Sequence, residues 1–141
     1  MLPRTMTTIA ELEQHFRRLC ADEDVDVQWC DSPRKALALS GELEFIRAPR
    51  IGSEIAYAVA LHELGHIKSR NQSSDQIERE RAAWHWARSN AMLWAPRMER
   101  YAVASLRWYK RHDHAHRYCH PRVATGDSAT VPAYVSRSAK R

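Results

Sequence analysis

Two histidines separated by three residues are the feature of this sequence best suited to chemistry. His62 and His66 flank Glu63, Leu64 and Gly65. On an α-helix, residues four apart lie above one another on one face, so both imidazoles can reach one ion at about 2.0–2.1 Å. Glu63 would flank that ion without binding it, where it can accept a proton from an activated water and pass it to a leaving amine. The spacing predicts a catalytic zinc site.

A catalytic zinc site needs a third protein ligand and keeps one position open for water. The residue six positions beyond His66 is Gln72, so the extended three-histidine motif does not occur here. The next predicted helix offers Glu80, Glu78 and His85. Helical periodicity places Glu80 on an apolar face that would pack against the motif helix, where a buried carboxylate needs a counter-charge such as zinc. We expect Glu80 to complete the site, with Glu78 and His85 as alternatives.

Periodicity and capping signals predict the elements that must hold these residues. Thr8 and Glu11 have the spacing of a capping box and open a helix that runs to about residue 21. Three short β-prone runs follow and predict a small, mostly antiparallel sheet. Ser53 is placed to cap the motif helix, and Pro96 separates two later helices. The predicted strands are Val25–Cys30, Ala36–Leu39 and Leu43–Ile46, and the predicted helices after them span residues 54–69, 76–94 and 97–111.

Composition narrows the class of protein. Cys20, Cys30 and Cys119 are odd in number and widely spaced, which argues against a disulfide framework or a zinc ribbon and fits a reducing compartment. The net charge of +5 is uneven, because residues 97–141 carry +7 and residues 1–96 carry −2. This basic C-terminal region could bind nucleic acid or an acidic protein, but a solvated surface is the favoured interpretation. The histidines between residues 112 and 120 are interpreted as a solvated tail that binds metal only adventitiously.

The two motifs resemble those of the ImmA/IrrE-type metallopeptidases. The segment 60–66, Ala-Leu-His-Glu-Leu-Gly-His, is similar to the His-Glu-x-Gly-His helix of that family. Glu80, Ala83, Trp86 and Ala87 match the Glu-x-x-Ala-x-x-Phe-Ala pattern of the family's next helix, with Trp86 in place of Phe. The resemblance covers roughly residues 36–95. Carried over position by position, it implies a set of zinc ligands and a catalytic acid/base, namely His62, His66 and Glu80 as ligands and Glu63 as acid/base.

The resemblance also implies a fold, a setting and a substrate. Such proteins are common in phages and mobile elements, and those characterised cleave a repressor that has a helix-turn-helix domain. We expect an α+β fold in which a small three-stranded sheet packs beside a zincin-like His-Glu-x-x-His helix, with further helices C-terminal to it. Residues 1–111 would form one domain and residues 112–141 a basic, histidine-rich tail, partly disordered. The sequence has no signal segment and no apolar run long enough for a bilayer, so we expect no membrane partner and a cytoplasmic location, in a bacterial host if the gene is a phage gene.

The predicted function is zinc-dependent endopeptidase activity on a protein or peptide substrate, for which a repressor-type DNA-binding protein is a candidate. An edge strand near Leu43–Ile46 could pair with an extended substrate. Tyr101, Tyr109 and His85 are candidate donors to the developing oxyanion, and nothing in the sequence selects among them. The alternative is a non-catalytic regulatory protein that binds nucleic acid or a partner through its basic C-terminal region, with zinc structural or absent.

Overall fold

A computed structural model describes residues 6–39, 44–69 and 73–112 of the chain. Within these residues, four α-helices and three short strands follow the order α1, β1, β2, β3, α2, α3, α4. The predicted α+β class, with a small three-stranded sheet and helices C-terminal to it, is confirmed. The elements are α1 Ile9–Asp22, β1 Asp26–Cys30, β2 Leu37–Leu39, β3 Phe45–Pro49, α2 Glu54–Lys68, α3 Gln76–Asn90 and α4 Pro96–Arg111.

The sheet is mixed, with the strand order β1-β3-β2. Strand β1 pairs with β3 in parallel, and Gln28 lies opposite Arg47. Strand β2 pairs with β3 in antiparallel fashion, and Ala38 lies opposite Ile46. The prediction of a mostly antiparallel sheet is therefore wrong, because β2 reverses direction at the far edge and β3 returns alongside β1 in the same direction.

The third strand differs from its prediction in both position and role. It spans Phe45–Pro49 instead of Leu43–Ile46, and it occupies the centre of the sheet. Ile46 and Ala48 are fully buried on one face of the strand, and β1 and β2 pair with its two edges. The prediction that it offers a free edge to a substrate is wrong. The edge strands are β1 and β2.

Helix α2 forms the centre of the molecule. Every residue from Ala56 to Gly65 is buried, which is the pattern of a helix covered on all sides. The sheet packs on one side of α2, and helices α1, α3 and α4 pack on others. Helix α1 contributes Leu12, Phe16 and Cys20 to this core. None of the described helices combines the length and the apolar composition needed to span a membrane.

The predicted capping box of α1 is confirmed. The Glu11 N–H donates to Thr8 Oγ1 at 3.2 Å, and the Thr8 N–H donates to Glu11 Oε2 at 2.6 Å. Because these bonds satisfy main-chain donors that the first turn leaves without a helical partner, they define where the helix begins.

The segment between α3 and α4 explains why α3 ends at Asn90 and not near Trp94. The main-chain N–H of Met92 donates to the Tyr57 hydroxyl at 2.9 Å, which ties this segment to α2. The indole N–H of Trp94 donates to Glu99 Oε1 at 2.8 Å, which ties it to α4. Pro96 then begins α4, since its fixed φ suits the first helical turn and its missing N–H is not needed there.

Candidate metal centre

Helix α2 carries the first part of the site. The Ser53 hydroxyl accepts a hydrogen bond from the Ala56 N–H at 3.1 Å, so the predicted cap begins this helix. His62 and His66 lie one turn apart, and their Nε2 atoms are separated by 3.1 Å. Glu63, between them, is only 2% exposed. The local helical spacing thus places the two imidazoles together, as the sequence predicts.

Helix α3 brings the second part of the site to α2 through an unusually close backbone approach. A Cβ atom built on Gly65 would lie 2.5 Å from the main-chain oxygen of Ala83. Only glycine fits at this crossing, because any side chain would collide with the backbone of α3. Ala83 lies one turn beyond Glu80, so the contact fixes the distance between Glu80 and the two histidines.

The side chains of three residues converge between the helices. His62 Nε2 lies 3.0 Å from Glu80 Oε1, and His66 Nε2 lies 3.1 Å from Glu80 Oε2. The ligand atoms of the three residues all lie within 4.8 Å of one another. His62 and Glu80 are buried and His66 is slightly more exposed. The group, which we call the metal triad, could hold a metal ion.

Trp84 forms one wall of the triad. Its ring lies parallel to the His62 imidazole, with an interplanar angle of 3° and a centroid separation of 4.0 Å. Trp94 and Tyr101 pack edge-on against Trp84 at centroid separations of 6.4 and 6.1 Å. These aromatic contacts restrict the rotation of the His62 ring and keep its Nε2 atom directed at the other two residues.

The charge of Glu80 is stabilised by its neighbours. Burial raises the pKa of its carboxyl group, but the adjacent His66 and His62 outweigh burial and lower the pKa to about 2. Glu80 is 0% exposed, and its Oε2 atom accepts no hydrogen bond within the described residues despite its proximity to His66. A fully buried carboxylate with an unused oxygen requires a nearby positive charge.

The pKa of Glu63 is shifted in the opposite direction to that of Glu80. Burial raises the pKa of its carboxyl group to about 8, His62 opposes this change, and Glu80 adds to it. Its Oε2 atom lies 3.6 Å from His62 Nδ1, too far for a hydrogen bond, and its Oε1 atom has no partner in the described part of the chain. Two adjacent carboxyl groups with well-separated pKa values are typical of sites in which one binds charge and the other transfers protons.

The structure places Glu80 in the triad, and it places the two alternative third ligands, Glu78 and His85, elsewhere. Glu78 is exposed and makes an ion pair with Arg81 at 2.7 Å. His85 is exposed as well and does not belong to the triad. Both residues project from other faces of α3 than Glu80, which is the separation that helical phase predicts.

Two of the three candidate oxyanion donors lie near the triad. Tyr101 is partly buried, and burial together with the charge of Glu63 raises its pKa to about 12. Tyr109 is 0% exposed, and burial together with the charges of Glu80 and Glu63 raises its pKa well above the ordinary value. His85 is not brought to the site. Of the three, Tyr101 combines proximity to Glu63 with partial exposure.

Sequence reasoning did not identify Trp84 as part of the site, nor Gly65 as the contact point between the helices. The periodicity placed Trp84 on the buried face of α3 but gave no sign that it stacks on a histidine. The histidine-rich stretch predicted as a tail lies almost entirely in residues 113–141, outside the described residues, as do Cys119 and +3 of the +7 net charge of residues 97–141. Comparisons with known proteins found no matching family model, no similar curated protein and no similar solved structure.

Proposed function

We propose that this protein is a zinc-dependent endopeptidase in which His62, His66 and Glu80 hold the zinc ion and Glu63 transfers protons. The observation that carries this proposal is the convergence of the metal triad beside the buried carboxyl group of Glu63, whose Oε1 atom has no hydrogen-bond partner among the described residues. Neither part would be expected in a helix pair whose only task is packing, because each buries polar atoms at a cost.

The donor set of the triad suits zinc. Ligands about 2.0–2.1 Å from a tetrahedral zinc ion lie about 3.3 Å from one another. The two imidazole Nε2 atoms are 3.1 Å apart, and each lies 3.0–3.1 Å from one oxygen of the Glu80 carboxylate, Oε1 for His62 and Oε2 for His66. Two imidazole nitrogens and one carboxylate oxygen are also a usual donor set of catalytic zinc sites. Zinc would supply the positive charge that the buried Glu80 carboxylate requires.

Peptide-bond hydrolysis needs a proton acceptor, and Glu63 has the properties of one. When bound, zinc would polarise the scissile carbonyl and lower the pKa of the attacking water. Glu63 would take the proton from that water and deliver it to the leaving amine. Without the metal its pKa is raised by burial to about 8, and the positive charge of a bound zinc ion would lower it and favour the carboxylate that accepts the proton.

Tyr101 is the residue we assign to the developing oxyanion. Its raised pKa keeps the phenol protonated, so it can donate a hydrogen bond at all pH values at which a peptidase would work. Tyr109, which is fully buried, has no exposed surface to offer a substrate carbonyl.

The substrate proposal rests on the resemblance to ImmA/IrrE-type metallopeptidases. That resemblance makes a repressor-type DNA-binding protein the substrate we assign. An extended substrate segment could not pair with β3, which is central, but it could pair with the outer edge of β1.

Metal analysis of two single variants tests the proposal. Protein purified without chelators should contain equimolar zinc, which His62→Ala should lose. Glu63→Gln should retain zinc and lose hydrolysis of a protein substrate, because its amide cannot accept the proton. Absence of zinc from the wild type would refute the metal assignment. Unchanged hydrolysis by Glu63→Gln would refute the role of Glu63.

A further inference from the structure

An open depression with a positively charged lining lies at the end of the edge strand β1. Lys35, Arg47 and Arg50 contribute three cations to it, and Asp31 contributes the single anion among its lining residues. Lys35 and Asp31 pair at 3.0 Å, so part of the charge is balanced. We call this depression the cationic groove. Its formal charge of +2 is notable because residues 1–96, which include it, carry −2 overall.

The sheet holds the side chain of Arg47 and the main chain of Arg50. The Nε–H of Arg47 donates to Gln28 Oε1 at 3.1 Å, across the register that pairs these two residues on β3 and β1. The main-chain N–H of Arg50 donates to the Cys30 carbonyl at 3.2 Å, which continues the pairing beyond the strand end. The Arg47 guanidinium therefore loses less freedom on binding an anion than an unrestrained surface side chain does.

The main chain of β1 next to the groove has one side that no described strand pairs with. Asp26 N–H and Cys30 C=O bond toward β3 and its flanking residues. Because alternate residues of a strand direct their main-chain groups to opposite sides, Val27 and Trp29 direct theirs outward. No strand of the described part of the chain pairs with that outer side.

The groove and the metal triad lie on elements that pack against each other. Cys30 and Arg47, which line the groove, belong to β1 and β3, and β3 packs against α2, the helix that carries Glu63. A polypeptide bound along β1 would therefore lie on the same sheet that packs against the motif helix.

We propose that the cationic groove binds an acidic stretch of the substrate polypeptide, with Lys35, Arg47 and Arg50 facing its carboxylates. This inference rests on the proposed function and names the class of sequence that the peptidase selects. A polypeptide fits better than a nucleic acid, because only a polypeptide can use both the cations and the outward-facing amides and carbonyls of β1. The contribution of the charges is electrostatic and decreases as salt screens them.

Binding of a matched pair of peptides to full-length Glu63→Gln protein, which cannot cleave them, tests the proposal. The probes are a short fluorescein-labelled peptide in which glutamate alternates with threonine, and the same peptide with glutamine in place of glutamate. Fluorescence anisotropy should give a lower Kd for the acidic peptide, and added salt should reduce the difference. A labelled single-stranded DNA of similar length is the third probe.

A charge-matched pair of variants assigns the binding to the groove. Replacing Arg47 and Arg50 together with glutamine should weaken binding of the acidic peptide by about 2- to 30-fold and leave the glutamine peptide unaffected. Replacing the exposed Arg100 and Arg107 of α4 with glutamine removes the same charge far from the groove in sequence, and should change neither Kd. Circular dichroism would verify that all variants fold.

Three outcomes would overturn the proposal: equal binding of both peptides, equal loss in the two double variants, or tighter binding of DNA that depends on Arg47 and Arg50. These outcomes are separable from failure of the proposed function. A protein that contains zinc and cleaves substrates without charge preference refutes the groove alone. A protein that binds acidic peptide through the groove but has neither zinc nor hydrolysis refutes the peptidase.

Discussion

The close contact between Gly65 and Ala83 allows the effect of a Gly65→Ala substitution on stability and zinc affinity to be predicted. Replacing Gly65 with alanine would place a Cβ atom 2.5 Å from the Ala83 main-chain oxygen and 3.2 Å from its Cα and carbonyl carbon. An ordinary contact is nearer 3.4 Å, so the helices must separate by several tenths of an ångström at the crossing. The obstacle is backbone, which cannot rotate away as a flexible side chain would.

Two effects on stability oppose each other in Gly65→Ala. Alanine favours the helical state by roughly 0.5–1 kcal/mol over glycine. Overpacking against a rigid backbone costs about 2–3 kcal/mol. Because the clash outweighs the gain in helix propensity, we expect a net destabilisation of about 1–2.5 kcal/mol, which lowers Tm by roughly 3–12 °C in a domain of this size.

The effect on the metal should exceed the effect on the fold. Glu80 lies one turn before Ala83, so separation of the helices moves its carboxylate away from His62 and His66. Misplacing a group that positions a metal ligand typically costs 10–100-fold in affinity. Competition with a chromogenic zinc chelator should therefore show a zinc affinity at least tenfold below that of the wild type.

Gly52→Ala is the matched control. A Cβ atom at Gly52 meets nothing within 4 Å, so this substitution should change Tm by no more than a surface mutation does and leave zinc affinity unaltered. If Gly65→Ala bound zinc as tightly as Gly52→Ala and melted at the same temperature, the close approach of α2 and α3 could not be what positions Glu80.

Three further predictions concern the neighbourhood of the triad. Glu80→Gln should abolish stoichiometric zinc binding while Glu78→Gln retains it, as measured by metal analysis after dialysis, and the reverse result would contradict the assigned third ligand. Trp84→Phe should lower zinc affinity roughly tenfold, because a phenyl ring covers less of the His62 imidazole than the indole does. An unchanged affinity in the chelator assay would exclude a positioning role for Trp84. The hydrogen bonds from Arg88 and Trp94 lower the pKa of Glu99 below its ordinary value of 4.5, so their stabilising effect is complete above that pH and is lost as pH falls through the lowered pKa. The Tm difference between wild type and Glu99→Gln should shrink on acidification below pH 4.5, and a constant difference in thermal melts would show that this ionisation does not contribute.

Much of the secondary structure could be predicted because its determinants are local. The capping box at Thr8, the cap at Ser53 and the proline at residue 96 each act within one helical turn, and each begins a helix where expected. The end of α3 was misplaced because it depends on distant partners. The Tyr57 hydroxyl and the Glu99 carboxylate accept hydrogen bonds from the segment after Asn90. The periodicity of apolar residues in the sequence gives no information about such contacts.

Sheet topology could not be predicted from the same information. A short apolar strand indicates burial but does not say which neighbour covers each edge. The central place of β3 and its parallel pairing with β1 depend on how the strands pack against α2, which is decided only when the chain folds.

The sequence by itself determined that His62 and His66 share a helical face with Glu63 beside them, since that geometry follows from a rise and turn that every α-helix has. Helical phase also favoured Glu80 over Glu78. Only the tertiary structure decided that Glu80 meets the histidines, because the distance between two helices depends on the residues at their crossing. Here that distance depends on the absence of a side chain at Gly65, which allows α3 to come within reach of the site.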